Sequence, residues 1–182
     1  DIKKEKIFDD EKLKFDHPRL IIPLRKPDGT LFAFQGRAFH DTKLRYLTEK
    51  LEEYPKIYGL DKIKNKSDTV FFLEGPIDSM FIHNSLGLAG SDIDLSICPF
   101  SNNRAFILDN EPRNKEIVKK YKKLIRKGEK VISWLNCPWQ GKDVNEMLLH
   151  NDCTLEQINS YIKNNIKFGL AAELDINQWA KV

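Results

Sequence analysis

The chain has 182 residues, 41% of them hydrophobic, and its 30 Lys and Arg against 27 Asp and Glu leave a net charge of +3. That is enough for one large domain or two small ones with a real core, and it excludes a wholly disordered chain. No stretch approaches the roughly 20 apolar residues of a membrane helix, the start DIKKEKIFDDEK is unlike a signal peptide, and Cys98, Cys137 and Cys153 form no CxxC pair, which argues against a zinc ribbon or a disulfide framework. A soluble cytoplasmic protein is expected. The first residue is Asp1 rather than Met, as in a processed chain or a piece of a longer protein.

Residues 1–16 are charged and aperiodic and read as a linker. From Arg19 to Arg25 an apolar run leads into the turn signal Pro27-Asp28-Gly29, and Thr30 to Phe34 follows, which predicts a β-hairpin. Gln35-Gly36-Arg37, Arg45-Tyr46 and Lys56-Ile57-Tyr58-Gly59-Leu60 come next. Residues 17–66 therefore read as a small basic α+β subdomain. From residue 67 to 150, strands alternate with helices, which argues for βαβ units and a mostly parallel sheet flanked by helices. The expected strands are Thr69 to Leu73, Leu86 to Ala89, Arg104 to Leu108 and Lys130 to Trp134. Pro76 suits the first turn of a helix running towards His83. A second helix is expected over Asn114 to Lys127, with Ile117, Val118, Tyr121, Leu124 and Ile125 inward and Gly128 as its stop. A third runs through Met147 and Leu148. Residues 151–182 form a helical extension of two helices, Thr154 to Lys167 and Phe168 to Trp179, the first opened by a Thr154/Gln157 capping box.

The acidic residues carry the chemistry. Glu74 follows Val70-Phe71-Phe72-Leu73, and Asp109 and Glu111 follow Phe106-Ile107-Leu108, so each acidic group stands where a strand ends. Open α/β sheets build their sites in the crevice outside the carboxyl ends of their strands. Carboxylates gathered there repel, by roughly 4 kcal/mol per pair at about 4 Å and a dielectric near 20, so they take up protons or capture a cation. All-oxygen ligands suit Mg²⁺ or Mn²⁺. The charge is unevenly spread: Ser67 to Asn103 has five acidic residues and no Lys or Arg, between basic stretches before Lys66 and from Arg104 to Lys130. Held cations together with a bound polyanion would account for that pattern. Plainer readings exist for each residue. Glu74 and Asp143 would serve as helix caps, Asp109 to Pro112 as a turn before a helix, and Arg45 and Lys56 as surface charges. Lys119-Lys120-Tyr121-Lys122-Lys123 reads as a solvated helix face. Asp92 and Asp94 read as loop acids, the four histidines lack metal spacing, and Phe34, Tyr46, Tyr58, Trp134 and Trp139 read as core.

Glu74-Gly-x-x-Asp78, Asp109-x-Glu111 and Gly141-Lys142-Asp143-x-Asn145, in that order, resemble the Toprim domain of DnaG-type primases, topoisomerases and some nucleases. Pro23, Gly29, Gln35-Gly36-Arg37, Arg45-Tyr46 and Lys56-x-Tyr58-Gly59-Leu60 resemble the basic subdomain that precedes Toprim in DnaG-type primases. LEGPIDS, LDNEPR, KDVNEM and KIYGL together resemble the primases of T-even-type bacteriophages, over nearly the whole chain. Three departures stand out: Glu111 replaces the usual Asp, Arg45 replaces the usual Lys of bacterial primases, and the amino-terminal zinc-binding module is absent, so the resemblance implies the RNA polymerase portion alone.

The resemblance implies a Toprim fold and a DNA primase, a DNA-directed RNA polymerase making short RNA primers on single-stranded DNA from ribonucleoside triphosphates. Joining nucleotides needs an activated 3′-hydroxyl and a neutralised pyrophosphate, which two or more divalent ions (Mg²⁺ or Mn²⁺) supply. Glu74, Asp109 and Glu111 would hold them, with Asp143 as a further ligand and Asp78 orienting Glu74 or a water. Arg37, Arg45, Lys56 and Lys142 would hold template or triphosphate. A replicative helicase partner and action in the cytoplasm of an infected bacterium are also implied. The competing readings are a Toprim nuclease, a topoisomerase lacking its tyrosine-bearing domain, and a non-catalytic docking module.

Overall fold

The structure, a computed structural model, describes residues 18–90, 93–150 and 153–182. The expected linker over residues 1–16, and His17 and Asp92, lie outside the described residues. Strands β1 (Arg19–Arg25) and β2 (Leu31–Ala38) form the expected antiparallel hairpin, and β3 (Tyr46–Lys50) adds to it in the order β1-β2-β3. The turn is set by Asp28, whose carboxylate accepts the Thr30 N–H at 2.9 Å, and by Gly29 at φ +88°, where a side chain would be strained. Ile22, Leu24, Phe32 and Ala33 are buried on one face of this sheet, packed with Tyr58 and Ala89.

The second sheet has six strands in the order β4-β6-β5-β7-β8-β9. They are β4 (Ile57–Tyr58), β5 (Val70–Leu73), β6 (Ser85–Leu88), β7 (Arg104–Ile107), β8 (Lys130–Ile132) and β9 (Ile166–Lys167). The four central strands are parallel and the two outer ones antiparallel. All four residues of β5 and all four of β7 are buried; β5 has the uninterrupted apolar pattern of a strand covered on both faces, and in β7 the one charged residue, Arg104, is paired with Glu129. Helices α1 (Pro76–Ser79), α2 (Lys115–Arg126), α3 (Val144–Leu149), α4 (Leu155–Asn164) and α5 (Gly169–Trp179) complete the fold. Asn114 caps α2, accepting the Glu116 N–H at 3.1 Å, and the Thr154/Gln157 capping box opens α4. Gly128 follows α2 at φ +77°.

Four expectations need correction. Among the described residues of the stretch read as a small α+β subdomain there are only strands and a 3-10 turn at Leu60–Lys62, with no α-helix, because the apolar residues there alternate as in strands. The helix after Pro76 lasts one turn instead of reaching His83. The Ser85 hydroxyl takes the Ser79 and Ile82 carbonyls at 2.6 and 2.8 Å, and Asn84 turns back at φ +53° to start β6. The carboxyl-terminal extension is not purely helical: α4 stops at Asn164, and Ile166–Lys167 pairs antiparallel with β8, closing that edge of the sheet. Ile57–Tyr58, inside the stretch assigned to the basic subdomain, pairs with β6 as the opposite edge strand. The two sheets are thereby stitched together.

The one-turn helix α1 lies directly on β6. A Cβ at Gly87 would sit 2.5 Å from Pro76 Cα and 2.8 Å from Ser79 Oγ. Gly87→Ala is therefore expected to destabilise the fold by roughly 1–3 kcal/mol, as overpacking does, read as a lower urea midpoint. An unchanged midpoint would show that the turn can shift freely.

Candidate active site

The pairing of β5 with β7, Leu73 opposite Ile107, brings their carboxyl ends side by side. Glu74 leaves the first end, and Asp109 leaves the second after Leu108. Asp78 lies one turn beyond Glu74 on α1. Its Oδ1 accepts the Asn145 N–H at 3.0 Å, which ties α1 to the start of α3. Asp143 is the N-cap of α3, accepting the Glu146 N–H at 2.7 Å. Glu111 Oε2 accepts the Asn114 side-chain amide at 3.1 Å. The plain capping role thus holds for Asp143 but not for Glu74, since Gly75 occupies the N-cap of α1.

These acids form one wall of a cleft of about 600 Å³. Arg37 from β2, Arg45 just before β3 and Lys56 just before β4 line the same cleft, as does Lys142. All nine residues singled out from sequence therefore line this cleft. Arg37 stacks over the half-exposed Tyr46 ring at 5.7 Å. Lys142 Nζ is paired with Glu146 at 2.8 Å, so its charge is already partly spent.

The acids carry the marks of forced proximity. Burial pushes the Asp109 carboxyl up to about 7, aided by the negative charges of Glu74, Asp78, Asp143 and Glu111. Burial, then Asp143, pushes Asp78 up to about 6 against the Asn145 N–H, which favours its ionised form. Glu74 is held differently. Its Oε2 accepts Lys120 Nζ at 2.6 Å, while its Oε1 is buried without a hydrogen-bond partner. Lys120 is thus not part of a solvated face.

A buttress that includes Tyr121, Trp134 and Trp179, which the sequence places in core or tail, holds the acid loop. The Leu108 carbonyl accepts Trp134 Nε1–H at 2.7 Å and the buried Tyr121 hydroxyl at 3.3 Å. Next along the chain, the Asn110 N–H donates to the Lys142 carbonyl at 2.5 Å, and its side-chain amide donates to the Gly141 carbonyl at 3.3 Å. Trp179 Nε1–H on α5 donates to Asn110 Oδ1 at 3.0 Å. Gly141 is at φ +128°, with its missing Cβ position 3.0 Å from the Met147 backbone N, so no other residue fits there comfortably. Gln35 from β2 also lines the cleft.

Among the described residues, no three Asp, Glu, His or Cys side chains are gathered closely enough to cage a metal ion unaided. Mg²⁺ does not require such a cage: it keeps several waters and is bound by one or two carboxylates together with substrate phosphates. The all-oxygen donor set, the unpartnered buried Glu74 Oε1 and the proton-binding tendency of Asp109 fit a divalent cation of that kind.

No protein-family model matches the chain. Over 175 residues, 94% of its length, the chain is 42% identical to the DNA primase of Enterobacteria phage T4, and it spans half the length of that relative. Among solved structures, it superposes on the RNA polymerase domain of Mycobacterium tuberculosis primase DnaG with a TM-score of 0.65 at 16% identity, covering 97% of this chain and 66% of the other. The zinc-binding and RNA polymerase domains of Aquifex aeolicus primase give 0.60 at 19% identity, covering 81% and 40%. A DnaG primase catalytic domain bound to single-stranded DNA gives 0.60 at 14% identity, covering 86% and 56%. The mixed α/β fold with its mostly parallel six-strand sheet is that of DnaG primase catalytic cores.

A stability test follows from Asp109. Its carboxyl titrates at about 7 in the folded chain against an ordinary 3.8, so between those values the folded state holds a proton that the unfolded state has released. The contribution of Asp109 to stability without metal is then fullest below pH 4 and falls as pH rises towards 7. Asp109→Asn is expected to stabilise the metal-free chain at pH 8 by about 1–2 kcal/mol after allowance for solvent screening. The gain should shrink steadily as pH is lowered to 4. Thermal melts in EDTA check this, and a variant no more stable than wild type at pH 8 would contradict it.

Proposed function

We propose that this relative of the phage T4 DNA primase is a primase core, joining ribonucleotides into a short RNA primer on single-stranded DNA. The observation that carries the reading is the single cleft in which Glu74, Asp78, Asp109 and Glu111 face Arg37, Arg45 and Lys56. Nucleotide joining needs cations at the reacting phosphate and a positive surface for the polyanions, and this cleft offers ligands for the first and side chains for the second. In this reading residues 67–150 form a Toprim domain, residues 17–66 a basic template-facing subdomain, and residues 151–182 a supporting extension.

The proposal divides the labour among these side chains. Glu74, Asp109 and Glu111 would hold Mg²⁺ or Mn²⁺, with Asp143 contributing the oxygen that does not cap α3. Bound there, the ions would lower the pKa of the attacking 3′-hydroxyl and neutralise the departing pyrophosphate. Asp78, fixed by the Asn145 N–H, orients the Glu74 turn. Arg37 is braced on Tyr46, so its guanidinium is preorganised for phosphate; the exposed Arg45 and half-buried Lys56 extend the positive wall. Catalysis is positioning and charge neutralisation, with no covalent intermediate. The sequence resemblance extends the proposal to a replicative helicase partner and to DNA replication in an infected bacterium.

Incubation with a single-stranded template, labelled ribonucleoside triphosphates and Mg²⁺ or Mn²⁺, with and without the cognate helicase, tests the reading. Short RNA products are expected, reduced at least about 100-fold in Glu74→Gln and Asp109→Asn. Template cleavage in place of synthesis would make the protein a nuclease, and neither activity, with metal binding unaltered by both substitutions, would leave a docking module. Arg45→Ala and Lys56→Ala should each lower the salt slope of template binding by about 0.7 for one lost single-strand phosphate contact. An unchanged slope would return those side chains to the ordinary surface.

A further inference from the structure

Of the five lysines on α2, Lys115, Lys119, Lys122 and Lys123 are exposed, whereas Lys120 is half-buried and paired with Glu74 of the cleft wall. Its ammonium lies 2.6 Å from Glu74 Oε2, with the two side chains 26% and 22% exposed. The other oxygen of the same carboxylate, Oε1, is buried and unpartnered. Glu74 is therefore half satisfied, one oxygen by a cation of the chain itself and the other by no partner among the described residues. The position of Lys120 is fixed by its neighbour: Tyr121 is fully buried, and its hydroxyl donates to the carbonyl of Leu108, the residue before Asp109. The helix turn that carries the ammonium is thus anchored to the loop that carries the second acid.

Resting on the metal-dependent reading of the cleft, we propose that Lys120 is a built-in counter-cation, positioning Glu74 and competing for it with the divalent ion. An ammonium on one oxygen of a carboxylate lies within a few ångströms of an ion on the other, and the two repel in a half-buried site. A lysine suits the task, because its charge is a compact point on a flexible four-carbon stem, able to leave Oε2 and remain near by. Without nucleotide, Lys120 relieves the mutual repulsion of the acids and keeps the divalent ion weakly held. When nucleotide arrives, its phosphates supply ligands for the ion and a new anionic partner for the displaced ammonium. Ion and nucleotide therefore bind with positive coupling, each raising the affinity for the other.

The test is titration of Mn²⁺ alone, followed by water-proton relaxation, on the full chain and its variants, then repeated with a saturating ribonucleoside triphosphate. Lys120→Met keeps the stem and removes the charge. It is expected to bind Mn²⁺ about tenfold tighter than wild type in the absence of nucleotide, and the enhancement of Mn²⁺ affinity by nucleotide is expected to fall by a similar factor. Lys120→Arg should stay within about threefold of wild type, and adding Glu74→Gln to Lys120→Met should erase the gain. Lys120→Gln serves as the second neutral variant if the Met variant does not fold. Glu74-dependent Mn²⁺ binding in wild type that is equal or weaker in the folded neutral variant overturns the role of Lys120 while leaving the metal site standing. If neither protein binds Mn²⁺ in a Glu74-dependent way, the metal-dependent reading itself falls, and this role with it.

Discussion

The arrangement of the cleft depends on two adjacent parallel strands ending side by side, with an acid just beyond each end. Leu73 and Ile107 are partners in the ladder, so Glu74 and Asp109 cannot drift apart without breaking the buried centre of the sheet. Their repulsion is a standing cost, offset by the buried apolar contacts of Val70 to Leu73 on β5 and Ala105 to Ile107 on β7. The opposing charges are placed by other means: Lys120 from a helix, Arg37 from the small sheet, and Lys56 from the segment that stitches the two sheets together.

Around that conflict, the protein spends much of its polar hydrogen bonding on the loops that bear the acids. The Leu108 carbonyl carries two donors, Asn110 bridges to the Gly141–Lys142 turn, and the Asp78 carboxylate grips the start of α3. A carboxylate that must meet a metal and a phosphate at defined distances benefits from such a second layer, because misplacement by an ångström weakens both. Gly87 belongs to the same scheme, since the Pro76 turn approaches β6 more closely than any side chain would permit.

The legible parts of the fold were those with strong local signals. The hairpin announces itself through Pro27-Asp28-Gly29, α2 through its periodic apolar face and Gly128, and Glu74 and Asp109 through acids set at the ends of apolar runs. The features that escaped share a reliance on distant partners. Two-residue strands such as Ile57–Tyr58 and Ile166–Lys167 carry no periodicity, and edge pairing alone defines them. Helix α1 stops early because Ser85, six residues beyond Ser79, takes its carbonyl. Lys120 sits among four similar lysines at the margin of the buried face of α2, and only the approach of Glu74, 46 residues away, distinguishes it. Asn110 and Trp179 are 69 residues apart, and neither signals the other in sequence.

That last bond has a consequence for motion. Trp179 is nearly buried against Tyr121, with ring centroids 5.3 Å apart, while its indole N–H holds Asn110 in the middle of the acid loop. The Asn110 amide in turn closes on the Lys142 carbonyl. Acid loop, Gly141–Lys142 turn and α5 are therefore linked by side-chain and backbone hydrogen bonds, and the docking of α5 restrains the loop. Undocking of α5 would therefore remove the Trp179 bond from the Asn110 side chain and leave the Lys142 carbonyl as the partner of its backbone N–H, so α5 acts as a brace on the rigidity of the site.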